Sequence, residues 1–307
     1  MDVSVVICTR NRAASLRRAM ESITRANIPA GLRWELLVVD NGSSDDTASV
    51  IASFAPRLPV RMLTEPSPGV SKARNMGLFA AQADRIVWTD DDTEVAPEWL
   101  TSYLDAYERY PDAAFFGGKV IPVFEGGVPS WLQPNLEAFA HAFAARDLGE
   151  APVRFRIEHA HLPFGANMAL RTPVQRLFPF DPAVGGGTGI SGGEETKMIR
   201  QMAAAGHHGM WVPGSAVRHH IPAARASLAY IDKFNFDTGF LIEREMPSAG
   251  PIVFGTPRWL LRDLCRSYAR YRARRLVRPP AEWAPDLAKF AYARGRVSYW
   301  LSRRKQA

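Results

Sequence analysis

The chain has 307 residues, 47% hydrophobic and 22% charged, the composition of a globular protein with a large core and not of a disordered or fibrous one. Its formal net charge of +7 is unevenly spread: residues 225–307 hold 17 Lys and Arg against 7 Asp and Glu, while the part before them is net acidic. Two cysteines far apart, Cys8 and Cys265, exclude a disulfide framework or a cysteine-based zinc site and fit a reducing, cytoplasmic compartment. With no basic leader and no uninterrupted apolar run of about 18 residues, the expectation is a soluble, non-secreted chain.

Residues 3–8 form a short β-branched run, predicted as a fully buried strand with Cys8 as a small core residue. The run breaks at Thr9, Arg10, Asn11 and Arg12, and Leu16, Ala19, Met20 and Ile23 then recur at helical spacing. Residues 35–39 are a second strand, ending in Asp40-Asn41-Gly42, and 43–47 supply caps and first-turn acids for a helix through Val50, Ile51 and Phe54. Residues 60–63 are a third strand. After Pro66-Ser67-Pro68-Gly69 a helix carries Val70, Ala73, Gly77, Ala80 and Ala81 on one face, and 85–88 form a fourth strand running into Thr89-Asp90-Asp91-Asp92.

This alternation predicts an α/β fold with buried, parallel strands whose carboxyl ends gather along one edge. Residues 9–12, Asp40 and Asp90 to Asp92 stand at such ends and are expected to share one crevice. Three successive carboxylates are costly there unless something positive meets them, although an isolated triplet would read equally as a solvated turn. The crevice also gathers Arg10, Arg12, Lys72 and Arg74. Such mixed charge suits a nucleoside diphosphate with a divalent metal, the cations facing phosphates and Asp40 facing base or ribose. No G-x-G-x-x-G follows the first strand, and no Gly-Lys-Ser/Thr closes the later glycine-rich loop, so dinucleotide and P-loop sites have no support.

Further along, Pro97 opens a helix, 113–123 read as a strand interrupted at Gly117-Gly118, and 125–161 show no firm period beyond one helix near 136–145. Phe164-Gly165-Ala166-Asn167 is a loop entering a strand. The glycine-dense stretch 185–193 has the composition of a lid and leads into Glu194-Glu195 at a helix start. Acids there are explained either by the helix dipole or by catalysis, since a carboxylate beside a bound donor could deprotonate an attacking hydroxyl. Residues 209–217 are a last strand, followed by His219-His220, candidate metal ligands. Beyond Ala223 the pattern is helical and amphipathic, with Trp259, Leu260, Leu264, Tyr268 and Tyr271 interleaved with arginines.

Ser4-Val-Val-Ile-Cys-Thr-Arg-Asn-Arg12, Val38-Val-Asp-Asn-Gly-Ser-Ser-Asp-Asp-Thr47, Gly69-Val-Ser-Lys-Ala-Arg-Asn-Met-Gly77, Thr89-Asp-Asp-Asp92, Phe164-Gly-Ala-Asn167, Gly193-Glu-Glu195 and Val217-Arg-His-His-Ile-Pro222 together resemble family 2 glycosyltransferases. The resemblance implies a GT-A-type, Rossmann-like, mostly parallel sheet flanked by helices over 1–225, with 226–307 as a basic amphipathic helical extension. It implies an inverting transferase that uses a nucleotide-diphosphate sugar, a UDP-sugar foremost, and Mn²⁺ or Mg²⁺. The acceptor would be a sugar or glycolipid hydroxyl in polysaccharide or glycoconjugate synthesis.

Carried over by position, Asp40 would hold the nucleobase with Thr9 and Arg10 beside it, and Lys72, Arg74 and Asn75 would pack on the nucleotide. Asp90 and Asp92 would be the D-x-D acids, Asp92 the direct metal ligand and Asp91 directed toward the donor sugar. Gly165 and Asn167 would lie under that sugar, Glu195 would be the base, and His219 would complete the metal site. Glu-Glu in place of the usual Glu-Asp leaves a role exchange with Glu194 open, as it is between His219 and His220. A sugar nucleotidyltransferase and an inactive nucleotide-sugar-binding scaffold are the rival readings. No nucleic-acid module is evident, and the arginines and aromatics of 258–304 suggest peripheral contact with the inner face of a membrane.

Overall fold

In the computed structural model, residues 1–156, 162–185 and 193–304 are described, Arg304 by its backbone alone. Strands β1 (Val3–Thr9), β2 (Trp34–Asp40), β3 (Val60–Thr64) and β4 (Arg85–Asp90) lie parallel in the order β3-β2-β1-β4. They are joined by α1 (Ala13–Thr24), α2 (Thr47–Ser53) and α3 (Val70–Ala80). Because side chains alternate along a strand, Val5 and Ile7 pack with Leu16, Met20 and Phe54 on one face. Val6, Leu37 and Val39 pack with Ala73 and Leu78 on the other. Both faces are covered, which is why these strands read as unbroken apolar runs.

The sheet continues with antiparallel neighbours. β7 (Asn167–Arg171) runs against β4, and β6 (Phe115–Phe124) runs against β7. β8 (Gly209–Ile221) comes next, and β5 (Thr93–Val95) closes the order as its antiparallel partner. Helices α4 (Trp99–Arg109), α5 (Thr172–Leu177) and α6 (Glu194–Ala204) complete the layers. The parallel alternation of the first 90 residues therefore describes half of the sheet, and antiparallel pairing between segments far apart in the chain builds the rest.

Two segments differ from the sequence expectation. Gly117 and Gly118 do not interrupt β6. Side chains have no room there, since a Cβ at 117 would lie 2.4 Å from Pro163 and one at 118 would lie 2.0 Å from the Ser215 carbonyl oxygen. The helix expected near 136–145 is replaced by two 3₁₀ turns, Gln133–Asn135 and Ala140–Phe143. Its apolar residues Phe139, Ala142 and Phe143 serve a separate core with Ile221, Ile231 and Ala284, and Ala144 leaves the turn at φ +53°.

The chain divides into two compact units, 1–123 with 144–220, and 124–143 with 221–307. The second is built on α7 (Leu228–Glu245), α8 (Arg258–Val277) and α9 (Pro280–Arg304), with the short hairpin β9 (Ile252–Val253) and β10 (Thr256–Pro257). Helices α7 and α9 touch backbone to backbone. A Cβ on Gly239 would lie 2.1 Å from the Tyr292 carbonyl oxygen, and one on Gly295 would lie 2.0 Å from that of Phe236. Among the described residues, no helix is long and apolar enough to cross a membrane.

One buried polar knot ties the first unit together. Asn167 is 0% exposed. Its Oδ1 accepts from Trp99 Nε1 (2.8 Å) and the Tyr103 hydroxyl (2.7 Å), and its Nδ2 donates to the carbonyls of Lys119 and Ser215 (both 2.9 Å). Replacing it by Ala leaves two donors and two acceptors dry, each costing on the order of 1–3 kcal/mol. Asn167→Ala should therefore lower unfolding free energy by about 3 kcal/mol or more in urea titrations. Asn167→Asp should cost at least as much, because an oxygen would face two carbonyl oxygens.

Candidate active site

The sheet register sets the site. Thr9 pairs with Asp40 across β1 and β2, and Cys8 pairs with Asp90 across β1 and β4, so the three polar strand ends lie side by side, as their positions in the alternation require. Asp40 is buried, and its Oδ1 accepts the Ser43 N–H at 2.9 Å. Asn41 donates to the carbonyls of Glu65 and Ser67 and accepts the Gly69 N–H, which fixes the turn that leads into α3. Arg10 and Lys72 are exposed.

The acidic triplet is split between two arginines. Asp91 accepts from the Thr9 hydroxyl (2.7 Å) and Arg12 (2.9 Å), and Asp92 accepts from the same Arg12 nitrogen (2.8 Å). Burial pushes the Asp91 carboxyl up to about 6 and the Asp92 charge adds to this, while Arg12 and the Thr9 bond oppose it. Burial works against the Arg12 charge, but the two carboxylates outweigh it and hold Arg12 more firmly protonated than an ordinary arginine. Asp91 thus turns toward the end of β1 and spends both carboxylate oxygens on Thr9 and Arg12. Arg12 meets carboxylates where the sequence had grouped it with phosphate-facing cations; the break after β1 was the signal for it.

β8 runs past 217, so both histidines lie inside the strand and point to opposite faces. His219 Nε2 stands 3.4 Å from Asp92 Oδ1, while His220 Nε2 is 2.6 Å from Glu94 Oε1. Among the described residues, no group of three or more His, Cys, Asp or Glu is arranged to hold a metal.

Asp90 belongs to the other arginine. Arg74, on α3, is 5% exposed; it donates to Glu194 at 2.6 Å and to Asp90 at 3.2 Å, and it lies 3.8 Å from Glu195 Oε2. Gly193, at φ +90°, opens α6 and sets both glutamates in its first turn. Burial pushes the Glu195 carboxyl up to about 7, the neighbouring Glu194 charge adds to this, and Arg74 pulls against both. Around the guanidinium, a Cβ on Gly165 would fall 2.4 Å from Arg74 Nη2, and the Phe180 ring centroid is 5.5 Å away. Asn75 holds the Phe180 backbone through both its N–H and its carbonyl. The structure thus brings together Thr9, Asp91, Asp92 and His219 around Arg12, and Asp90, Glu194 and Glu195 around Arg74. Asn75 and Asn167 spend their amides on the protein, and Gly165 makes room for an arginine.

The eight-stranded sheet with these strand-end acids defines a GT-A glycosyltransferase fold. The mannosyltransferase PcManGT from Pyrobaculum calidifontis, solved with GDP-Man and Mn²⁺, matches 98% of this chain and 87% of its own with a TM-score of 0.62 at 18% identity. S. aureus TarS 1–349 in complex with UDP matches 100% and 92%, with a TM-score of 0.57 at 15% identity. The model of glycosyl transferase family 2 matches residues 4–176, more than half of the sequence, and the chain belongs to that family. Among curated relatives, the succinoglycan biosynthesis protein ExoM of Rhizobium meliloti is 27% identical over 249 residues, covering 78% of this chain and 73% of its own. A glucosyl-dolichyl phosphate glucuronosyltransferase of Haloferax volcanii is 25% identical over 293 residues, covering 92% and 88%.

Proposed function

We propose that this glycosyltransferase moves a sugar from a nucleoside-diphosphate sugar to an acceptor hydroxyl with inversion, in the assembly of a polysaccharide or glycolipid. The observation that carries this reading is the placement of Glu195, a half-buried carboxylate in the first turn of α6, 3.8 Å from the Arg74 guanidinium that also holds Asp90, and pushed up to about 7 by that burial. A base with such an affinity is suited to take a hydroxyl proton at physiological pH. In the step, Glu195 takes the acceptor proton as the acceptor oxygen forms a bond to the anomeric carbon. The bond from that carbon to the diphosphate oxygen breaks on the opposite face, and the electron pair leaves with the nucleoside diphosphate. One displacement needs no covalent glycosyl-enzyme, so configuration inverts.

The solved neighbours carry UDP, UDP-GlcNAc or GDP-Man, and a UDP-sugar is the donor proposed here, with Asp40 at the base and the exposed Arg10 and Lys72 at the diphosphate. The names of the two curated relatives place them in succinoglycan synthesis and on a lipid-linked sugar, which supports the acceptor class. The donor set fits a hard divalent cation: Asp92 Oδ1 and His219 Nε2 are 3.4 Å apart, near the ~3 Å separation of adjacent ligands around an ion with bonds of about 2.1 Å. Asp92 and His219 would hold Mn²⁺ or Mg²⁺, with Asp90 beside them. When bound, the ion supplies positive charge to the departing diphosphate.

Peripheral contact with an anionic membrane forms part of the reading. On α8, Arg258, Arg262, Arg266 and Arg272 recur on the face opposite the buried Leu260 and Tyr271, and Leu276 and Val277 at its end are 80% and 76% exposed. Arginines alone would suit any polyanion, whereas exposed aliphatic residues beside them suit a bilayer surface.

Glu195→Gln should lower kcat by about 10²–10⁴-fold while UDP still binds, and the product should be free nucleoside diphosphate and not pyrophosphate. In the wild type, log kcat should rise with unit slope up to pH about 7 and then level off, because the base works only when ionised; Glu195→Gln should lose that limb. Mn²⁺ should raise the melting temperature of the wild type in the presence of UDP, and Asp92→Asn or His219→Ala should abolish the increment. The protein should co-sediment with phosphatidylglycerol vesicles at low salt but not with phosphatidylcholine vesicles, and Leu276→Asp combined with Arg266→Glu should release it.

A further inference from the structure

We infer that Arg74 is the positioning residue of the catalytic base: by gripping Glu194 and Asp90 together it sets the first turn of α6 so that Glu195 faces the acceptor side of the donor pocket. The inference rests on the assignment of Glu195 as base, and it removes Arg74 from the donor-binding set in which its motif had placed it.

Three observations carry it. First, Arg74 has little left for a ligand. It is 5% exposed, and three carboxylates surround it at 2.6, 3.2 and 3.8 Å. An arginine that binds a diphosphate needs free N–H groups facing the pocket; Arg10 and Lys72 remain exposed for that work.

Second, the two glutamates are treated differently. Glu194 Oε1 is committed to a short charge-assisted bond with Arg74, whereas Glu195 Oε2 stays beyond hydrogen-bond range of the same nitrogen; the Oε2 atoms of both glutamates lack a hydrogen-bond partner among the described residues, so the difference between the two acids lies in the Arg74 bond. A carboxylate oxygen that must accept a proton is best left without a competing donor. Glu194 therefore anchors and Glu195 reacts, which resolves the ambiguity of the Glu-Glu pair.

Third, the guanidinium is caged. Gly165 admits it by lacking a Cβ, the Phe180 ring lies beside it, and Asn75 pins Phe180. Four separate segments (α3, the end of β4, the loop before β7 and the start of α6) are thereby held to one planar group. A fork of this kind fixes geometry in a way that a flexible ammonium does not.

The charged groups around Glu195 are Glu194 on its own helix, Arg74 from α3 and Asp90 from the end of β4. The Cys8 thiol of β1 adjoins the same cluster and is kept neutral, pushed up to about 12 by burial. Lys197, one turn along α6, is engaged by Asp181 at 2.6 Å. Arg74 is thus the cation that opposes two acids. Its loss should make Glu195 harder to ionise as well as displace it.

The test uses the full chain with Arg74→Gln, Arg74→Lys and Gly165→Ala, measuring kcat, KM for the donor, the Kd of UDP by calorimetry, and the pH dependence of kcat. Misplacing a reacting group by about an ångström costs about 10²-fold, so Arg74→Gln should lower kcat by about that factor. It should also move the acid limb upward by about one pH unit or more, with the Kd of UDP changed less than about threefold. Arg74→Lys should restore the pH midpoint but only part of kcat, since it keeps the charge and loses the fork. Gly165→Ala displaces the guanidinium without removing it, and it decides the matter should Arg74→Gln fail to fold; it should lower kcat with UDP binding intact.

A tenfold or greater weakening of UDP binding with kcat unchanged at saturating donor would return Arg74 to the donor site and overturn the inference. So would an unmoved pH midpoint in folded Arg74→Gln. Wild type and Glu195→Gln run in parallel separate the two levels. A wild type without the acid limb, together with an active Glu195→Gln, removes the base assignment itself. A limb abolished by Glu195→Gln but untouched at Arg74 removes only the present inference.

Discussion

A buried guanidinium ringed by acids is the constraint on which the first unit turns. Taking a charge out of water costs several kcal/mol unless it is paired with good geometry, and Arg74 meets that condition only when α3, the end of β4 and the start of α6 are all in place. The same holds in reverse for Glu194 and Glu195, which would repel each other at the head of α6 without it. The helix dipole favours acids at that position but cannot by itself choose where each carboxylate points. Arg74 makes that choice, and the glycine at 165 is what lets it approach.

The second arginine does something different with the same acids. Arg12 lies across Asp91 and Asp92 and remains partly exposed. Its charge balances the pair while leaving the mouth open to water, where such bonds exchange readily. Asp91 is fixed from the other side by Thr9, Asp92 shares Arg12 with it and stands beside His219, and Asp90 turns to Arg74. A run of three acids is therefore three separate electrostatic problems, each with its own neighbour.

Much of this was legible in the chain. Unbroken apolar runs followed by period-3.6 patterns marked β1 to β4 and α1 to α3, and the rule that strand ends share an edge brought Thr9, Asp40 and Asp90 together. What escaped were properties set by distant partners. Nothing local in Phe164 to Asn167 says that Asn167 will meet Trp99, Tyr103, Lys119 and Ser215, or that Gly165 will face Arg74. The glycine pair of β6 looked like a break because glycine usually weakens a strand; here close backbone approach needs it. Phe139, Ala142 and Phe143 stand in a stretch that suggested a helix, yet they pack as single anchors into a core assembled from residues far along the chain.

The two glycine windows between α7 and α9 have a further consequence. A helix pair separated by side chains can slip by a turn and re-interdigitate, because one leucine replaces another in the groove. Where carbonyl oxygens sit against Cα positions at Gly239 and Gly295, any slip drives a methyl or a ring into a backbone oxygen. The pair then has a single allowed register, like a key with two notches. Since α8 packs along α9, with Tyr271 stacked on Phe290 and Arg274 paired to Asp286, the notches also fix the angular setting of the arginine-bearing face. The charged surface of this unit is thus held in place by two residues that carry no side chain.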